Sequence, residues 1–144
     1  MATQSYANHR RTDPVFHRVL LPVIFLTCIG AGVNLWQSWG DHIRLYSASL
    51  IFVLSWCLLL TAIFARVFAL RAQDRAIRVE ENLRHYLLTG KPLDPRIGVK
   101  QAIALRFASD GELPGLAARA AADNLEPNAI KQAIKNWRPD EYRV

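Results

Sequence analysis

LYSASLIFVLSWCLLLTAIFA, residues 45–65, is 21 consecutive residues without a charge, and RVFALRAQDRAIRVEENLRHYLLT, residues 66–89, follows it with no Gly or Pro. A helix rises ~1.5 Å per residue, so about 20 apolar residues cross a hydrocarbon layer ~30 Å thick. The first segment is long enough to span. The second is amphipathic and nothing in it breaks the helix before Gly90-Lys91-Pro92, a good stop signal. The pair predicts one helix from about Leu45 to Thr89, half of it beyond the membrane.

Upstream, Val19 to Gly40 gives another 22 residues without a charge. Arg10, Arg11 and Arg18 before it would suit a secretory signal. The run is too long for a signal core, however, contains Pro22 near its start, and ends in Trp36 and Trp39 without a small-residue cleavage site. It reads as a retained span. The short Ser38 to Arg44 connection makes the two spans antiparallel neighbours. In a chain of 144 residues with a mean hydropathy of only +0.07, the apolar content is thus concentrated in two places.

The basic residues set the orientation. Three arginines precede the first span, Arg44 sits in the connection, and the other fourteen of the eighteen Lys and Arg lie at or beyond Arg66. Positive charge stays on the cytoplasmic side. Both termini are expected there, with residues 38–44 outside and Trp36, Trp39 and Tyr46 at the outer boundary. The division that follows is a cytoplasmic arm over 1–14, transmembrane helix 1 over 15–40, transmembrane helix 2 with its cytoplasmic extension over 41–89, and a cytoplasmic helical tail over 90–144. The fold class is an all-α membrane protein, a two-span transmembrane helical hairpin followed by a small three-helix tail.

One stripe of the long helix stays free of charge. Positions seven apart, Ala48, Ser55, Ala62, Ala69, Ala76 and Leu83, alternate with Ile51, Leu58, Ala65, Ala72, Val79 and Tyr86. Arg71, Asp74, Arg75, Arg78, Glu80, Glu81 and Arg84 fall elsewhere, on what reads as the solvated face. A 3.5-residue repeat marks a packing seam of coiled-coil type, and alanines allow close approach. Ala72, Ala76, Val79, Leu83 and Tyr86 are therefore the candidate partner-packing residues. Either the tail folds back over them or another protein, a second copy included, occupies them.

In the tail, Val99, Ile103 and Phe107 share one helical face. Ser109-Asp110-Gly111-Glu112 spells a capping box opening a helix through Leu113, Leu116, Ala117 and Ala120. A last helix starts at Pro127 and aligns Ile130, Ala133, Ile134 and Trp137 before Arg138-Pro139. So few large apolar side chains make a marginal core, which docking on the long helix would complete.

Candidate chemistry is sparse. A bis-His haem needs two His at one depth on facing helices, but His17, His42 and His85 lie at different depths. Cys28 and Cys57, placed at matching depth in the hairpin, are too few for a metal and read as packing residues close enough for induced crosslinking. Thr27 and Asn34 could hydrogen-bond across the pair, where Gly30 and Gly32 remove bulk. Trp56 sits mid-span, and Lys131, Lys135 and Arg138 form a basic face. The net charge is +6, but past the second span fourteen basic residues stand against ten acidic, a mild excess that membrane topology explains without nucleic acid. No P-loop, dinucleotide fingerprint, nucleophile elbow or carboxylate pair occurs, and neither span buries an ionisable group of the kind a substrate path requires. No enzyme, metal, cofactor or small-molecule substrate is expected.

The tail run Gln101-Ala102-Ile103-Ala104-Leu105-Arg106-Phe107-Ala108-Ser109-Asp110, then Glu112-Leu113-Pro114 and Ile134-Lys135-Asn136-Trp137-Arg138-Pro139-Asp140, resembles an uncharacterised family of small bacterial two-span membrane proteins. Asn8-His9 and Pro14-Val15-Phe16-His17 fit it too. The resemblance implies a bacterial inner-membrane location and no assigned activity. The expected function is a non-catalytic accessory or scaffolding subunit of a larger membrane complex, with energy-transducing assemblies such as a photosynthetic reaction centre or a respiratory complex among the candidates. Its expected partners are membrane lipids and other membrane-protein subunits or a second copy. The alternatives are a membrane-tethered adaptor whose tail binds a soluble protein or nucleic acid, and a pigment-, haem- or quinone-associated subunit.

Overall fold

The computed structural model describes residues 5–6 and 13–140. Asn8-His9 and most of the N-terminal arm lie outside the described residues. Among these the chain is all helical: α1 is Leu21–Gln37, α2 His42–Thr89, α3 Val99–Leu105, α4 Leu113–Ala122 and α5 Pro127–Ala133. Two compact units result among the described residues, one over 13–69 and one over 70–140, and the boundary falls inside α2.

In the first unit the chain turns helical at Asp13, whose Oδ1 accepts the Phe16 N–H at 2.8 Å. Phe16–Leu20 forms a π-helical stretch, with the Leu21 N–H reaching back five residues to the Phe16 carbonyl. The cause is Pro22. It has no N–H to offer the preceding turn, its ring crowds the carbonyl four residues earlier, and the widened turn absorbs both. The hairpin turn is built by Ser38, whose hydroxyl donates to the Asn34 carbonyl at 2.7 Å, and by Gly40 at φ +98°. Asp41 then caps α2 by accepting the Ile43 and Arg44 N–H groups.

Ile24, Cys28, Ala31 and Ser38 of the first span are buried, as are Ala48 and Ser55 of α2, while Leu45, Phe52, Leu59 and Ala62 are half-buried. These α2 positions repeat every three or four residues. Of the two expected rows of the seam, Ala48, Ser55 and Ala62 face inward, but Ile51, Leu58 and Ala65 are exposed. Gly32 sits against the Phe52 ring, 3.5 Å from where its Cβ would stand, whereas Gly30 faces open space. The Thr27 hydroxyl donates to Val23 of its own helix at 2.9 Å, not across the pair. Cys57 is likewise a correction: Cys28 is 4% exposed, but Cys57 lies two residues past Ser55, about 200° round the helix, and faces outward.

In the second unit α2 stops at Gly90, where φ is +71° and the N–H closes on the Tyr86 carbonyl at 2.7 Å. The tail then folds around Ile97, Leu105, Phe107, Leu113 and Ile130, all fully buried, with Ala102, Ala104, Ala108 and Ala120 filling the spaces between. Small residues let three short helices approach closely enough to exclude water from a small core. Gln101 joins two parts of it. Its Oε1 accepts the Gly98 N–H at 2.7 Å and its Nε2 donates to the Leu125 carbonyl at 2.9 Å, so a buried amide is satisfied at both ends.

Two expectations for the tail differ. Glu112 does not reach back to Ser109 as a capping box would; its carboxylate accepts the backbone N–H and the side-chain amide of Asn136 at 3.1–3.3 Å. The last helix ends at Ala133 instead of reaching Arg138, because the chain extends there to pair with the segment after α3. Ala108 and Trp137 form an antiparallel bridge, with Ser109 donating to the Asn136 carbonyl and Arg138 to the Phe107 carbonyl.

Two measurements test this packing. Phe107→Ala should destabilise the tail by about 3–5 kcal/mol in thermal or denaturant unfolding, since it empties a fully enclosed ring site. In detergent, a small maleimide should modify Cys57 well before Cys28, and equal rates would contradict the orientation of α2 in the hairpin.

Candidate functional site

Two opposite faces of α2 after residue 70 define what this unit can do. On one, Ile77 and Glu81 are buried and Arg84 nearly so. Each nitrogen of the Arg84 guanidinium has a partner: Nη1 meets Glu81 Oε2 at 3.0 Å, Nε donates to Asp110 Oδ1 at 2.7 Å, and Nη2 donates to the Ala108 carbonyl at 2.7 Å. Asn82 adds a bond from the Leu93 N–H to its Oδ1 at 2.9 Å. His85 contacts the Lys91 carbonyl through Nδ1 at 2.8 Å. The tail therefore docks on a charged face. The sequence pattern places Glu81 and Arg84 on the solvated face, because single charges on an exposed helix usually lie there. Their spacing of three did allow an ion pair, but no sequence signal shows that it is enclosed.

Burial pushes the Glu81 carboxyl above its ordinary value, against the pull of Arg84 and Arg138. Asp94 goes the other way. Hydrogen bonds from Arg96 hold it down to about 2.

The opposite face carries the seam. At 100° per residue, Ala72, Ala76, Val79, Leu83 and Tyr86 all lie within about 40° of the direction away from Glu81. Every one is exposed, with Val79 at 67%, Leu83 at 56% and Tyr86 at 51%. The tail does not cover them. Leu87 extends the patch at its edge and is also exposed.

A cleft of about 530 Å³ opens beside the docked face, where Ala76, Ile77, Glu80 and Glu81 of α2 face Arg106, Arg138 and Asp140 of the tail. Arg106 pairs with Asp140 at 3.0 Å and lies 4.5 Å over the Phe107 ring, which packs 5.0 Å from Trp137. Lys131 of the presumed basic face also lies over that ring, at 5.9 Å, and Lys135 is exposed. Trp56 is exposed, edge-on to Phe52. His17 is held by the Asp13 carbonyl at 2.9 Å, and His42 is exposed at the start of α2. Among the described residues no three His, Cys, Asp or Glu side chains gather as metal ligands would.

The two halves of the tail motif, 101–110 and 134–140, are thus joined in space by the Ala108–Trp137 bridge and the Arg106–Asp140 pair. The model of the Family of unknown function (DUF6526) matches residues 1–144. The chain belongs to that family. No curated protein and no solved structure matches it. In this DUF6526 chain the motif residues serve tail packing and docking: Arg106, Phe107, Trp137 and Asp140 hold one another, and Ala108 and Asp110 receive Arg84.

Arg84→Ala strands a buried carboxylate, so it should cost about 3–5 kcal/mol of tail stability. Glu81→Gln, which keeps an acceptor for Arg84, should cost far less at pH 7. The pH dependence follows from the direction of the shift. A carboxyl raised in the folded state favours folding most below its unfolded value near 4.5 and loses that advantage as pH rises through the folded value. Acidifying through this window should therefore recover part of the Arg84→Ala loss, and should recover none in Arg84→Ala with Glu81→Gln. Unfolding curves between pH 4 and 8 check both.

Proposed function

We propose that this chain is a non-catalytic accessory or scaffolding subunit of a larger complex in the bacterial inner membrane, held there by two spans with both termini cytoplasmic. The observation that carries the reading is where its apolar surface points. Phe16–Gln37 and His42–Thr89 each contain a window long and apolar enough to cross a bilayer, and only 17% and 11% of those windows is buried. The core helix of a water-soluble protein would hide most of such a window. Val23, Phe25, Leu26, Leu50, Leu54 and Leu58 all face outward, far more than a soluble monomer exposes in one patch. Hydrocarbon around the pair removes that cost.

The two ends of the pair support the same reading. Trp36, Trp39 and Tyr46 are exposed around the turn, where rings with an apolar body and a polar edge suit the headgroup layer. At the other end Arg66 lies 5.8 Å over the Phe16 ring, a cation placed where the apolar run stops. Past that point the exposed seam offers a helix-sized apolar stripe, and its flanking charges would keep the chain soluble until a partner covers it. Energy-transducing complexes are one class of host. The membrane-tethered adaptor is the second reading, favoured by the charged cleft between α2 and the end of the tail.

Two experiments test the scaffold. Cysteines placed singly at 37–41 should react with an impermeant maleimide added outside intact cells, and one at Thr89 should not; the reverse would overturn the orientation. Val79→Glu with Leu83→Glu should leave the tail resistant to limited protease, since both sites are exposed, yet shift the detergent-extracted protein to a smaller native size. An unchanged large particle would remove the seam from the assembly.

A further inference from the structure

We infer that the seam at residues 72–86 is occupied by the same seam of a second copy, the two α2 segments lying parallel and in register; the inference rests on the membrane-scaffold reading above. Taking Ala76 and Leu83 as one row of the repeat and Ala72, Val79 and Tyr86 as the other, the flanking positions are Gln73, Glu80 and Leu87 on one side and Arg75 and Asn82 on the other. In a parallel pair, each residue of the second flank faces the residue five positions later on the partner's first flank. Arg75 then faces Glu80 of the other copy, and two-fold symmetry makes the contact twice. Asn82 faces Leu87, so no like charges meet.

Both charges are available for this. Arg75 and Glu80 are exposed, and neither forms an ion pair within its own chain among the described residues. An antiparallel pair would match each flank with its own kind, bringing Arg75 toward the partner's Arg75 side and Glu80 toward its Glu80 side. Insertion of both copies in one bilayer in the same orientation imposes the parallel arrangement that the charges favour. The docked tail covers Ile77, Glu81 and Arg84 and leaves the seam exposed, with Ala76 and Glu80 at the edge where the cleft toward Arg138, Pro139 and Asp140 begins. Alanine at 72 and 76 admits close approach, and Val79, Leu83 and Tyr86 supply the buried apolar volume.

Disulfide trapping of the full chain in its native membrane tests this. In a Cys28→Ala, Cys57→Ala background, single Ala76→Cys and Leu83→Cys variants should give a crosslinked species of twice the chain mass under a mild oxidant. Arg71→Cys, exposed but off the seam, should give little. Adding Arg75→Glu should lower the Leu83→Cys dimer by about three- to tenfold, the range expected for two exposed pairs turned repulsive, and adding Glu80→Arg as well should restore it. Dimer without that rescue overturns the parallel register. Crosslinks only to a chain of different mass overturn the second copy but leave the scaffold reading standing. No adduct of either kind at 76 and 83 overturns both.

Discussion

Arg84 ties the tail to α2. One guanidinium, almost fully enclosed, satisfies a carboxylate on its own helix, a carboxylate from the tail and a tail carbonyl. The planar fork of Arg suits such divided use, and a lysine could supply the charge but not the three directions. The tail turns its Ala108–Asp110 segment toward α2, leaving a buried carbonyl that needs a donor and an exposed acid beside it. Arg84 donates to both, and also pairs with the buried Glu81. Such a pair adds little net stability over apolar packing but strongly penalises any misdocked arrangement that would leave one member alone.

That choice of face determines what remains outside. A helix has room for one docked tail on about half its circumference. Because Ile77, Glu81 and Arg84 form the docked half, the uncharged seam is left exposed. The apparent inversion, charges inside and alanine, valine and leucine outside, is ordinary if the outward stripe is meant for a partner. Exposed apolar side chains at this spacing are otherwise an aggregation liability. In the unit holding α1, the same helix repeat is used differently, with Ala48, Ser55 and Ala62 turned toward the first span.

Much of this was legible from residue order. The two apolar runs, the stop at Gly90, the opening of the last helix at Pro127 and the Ile130–Ile134 stripe all rest on local rules: length against bilayer thickness, missing N–H groups, left-handed glycine. Those rules act within a few residues, so a sequence reports them directly. The partners of Glu112, the early end of α5 and the burial of Glu81 and Arg84 depend on residues 24 or more positions away, and no local pattern encodes such distances.

The sequence by itself determined that there would be one uncharged stripe on α2 and that its residues would lie in line, because helical periodicity is a property of spacing alone. Only the tertiary structure decided which face the tail would take. That outcome depended on matching hydrogen-bond donors to acceptors, with the enclosed Arg84 guanidinium reaching Glu81, Asp110 and the Ala108 carbonyl, and on the bridge between Ala108 and Trp137 that holds the Ala108–Asp110 segment.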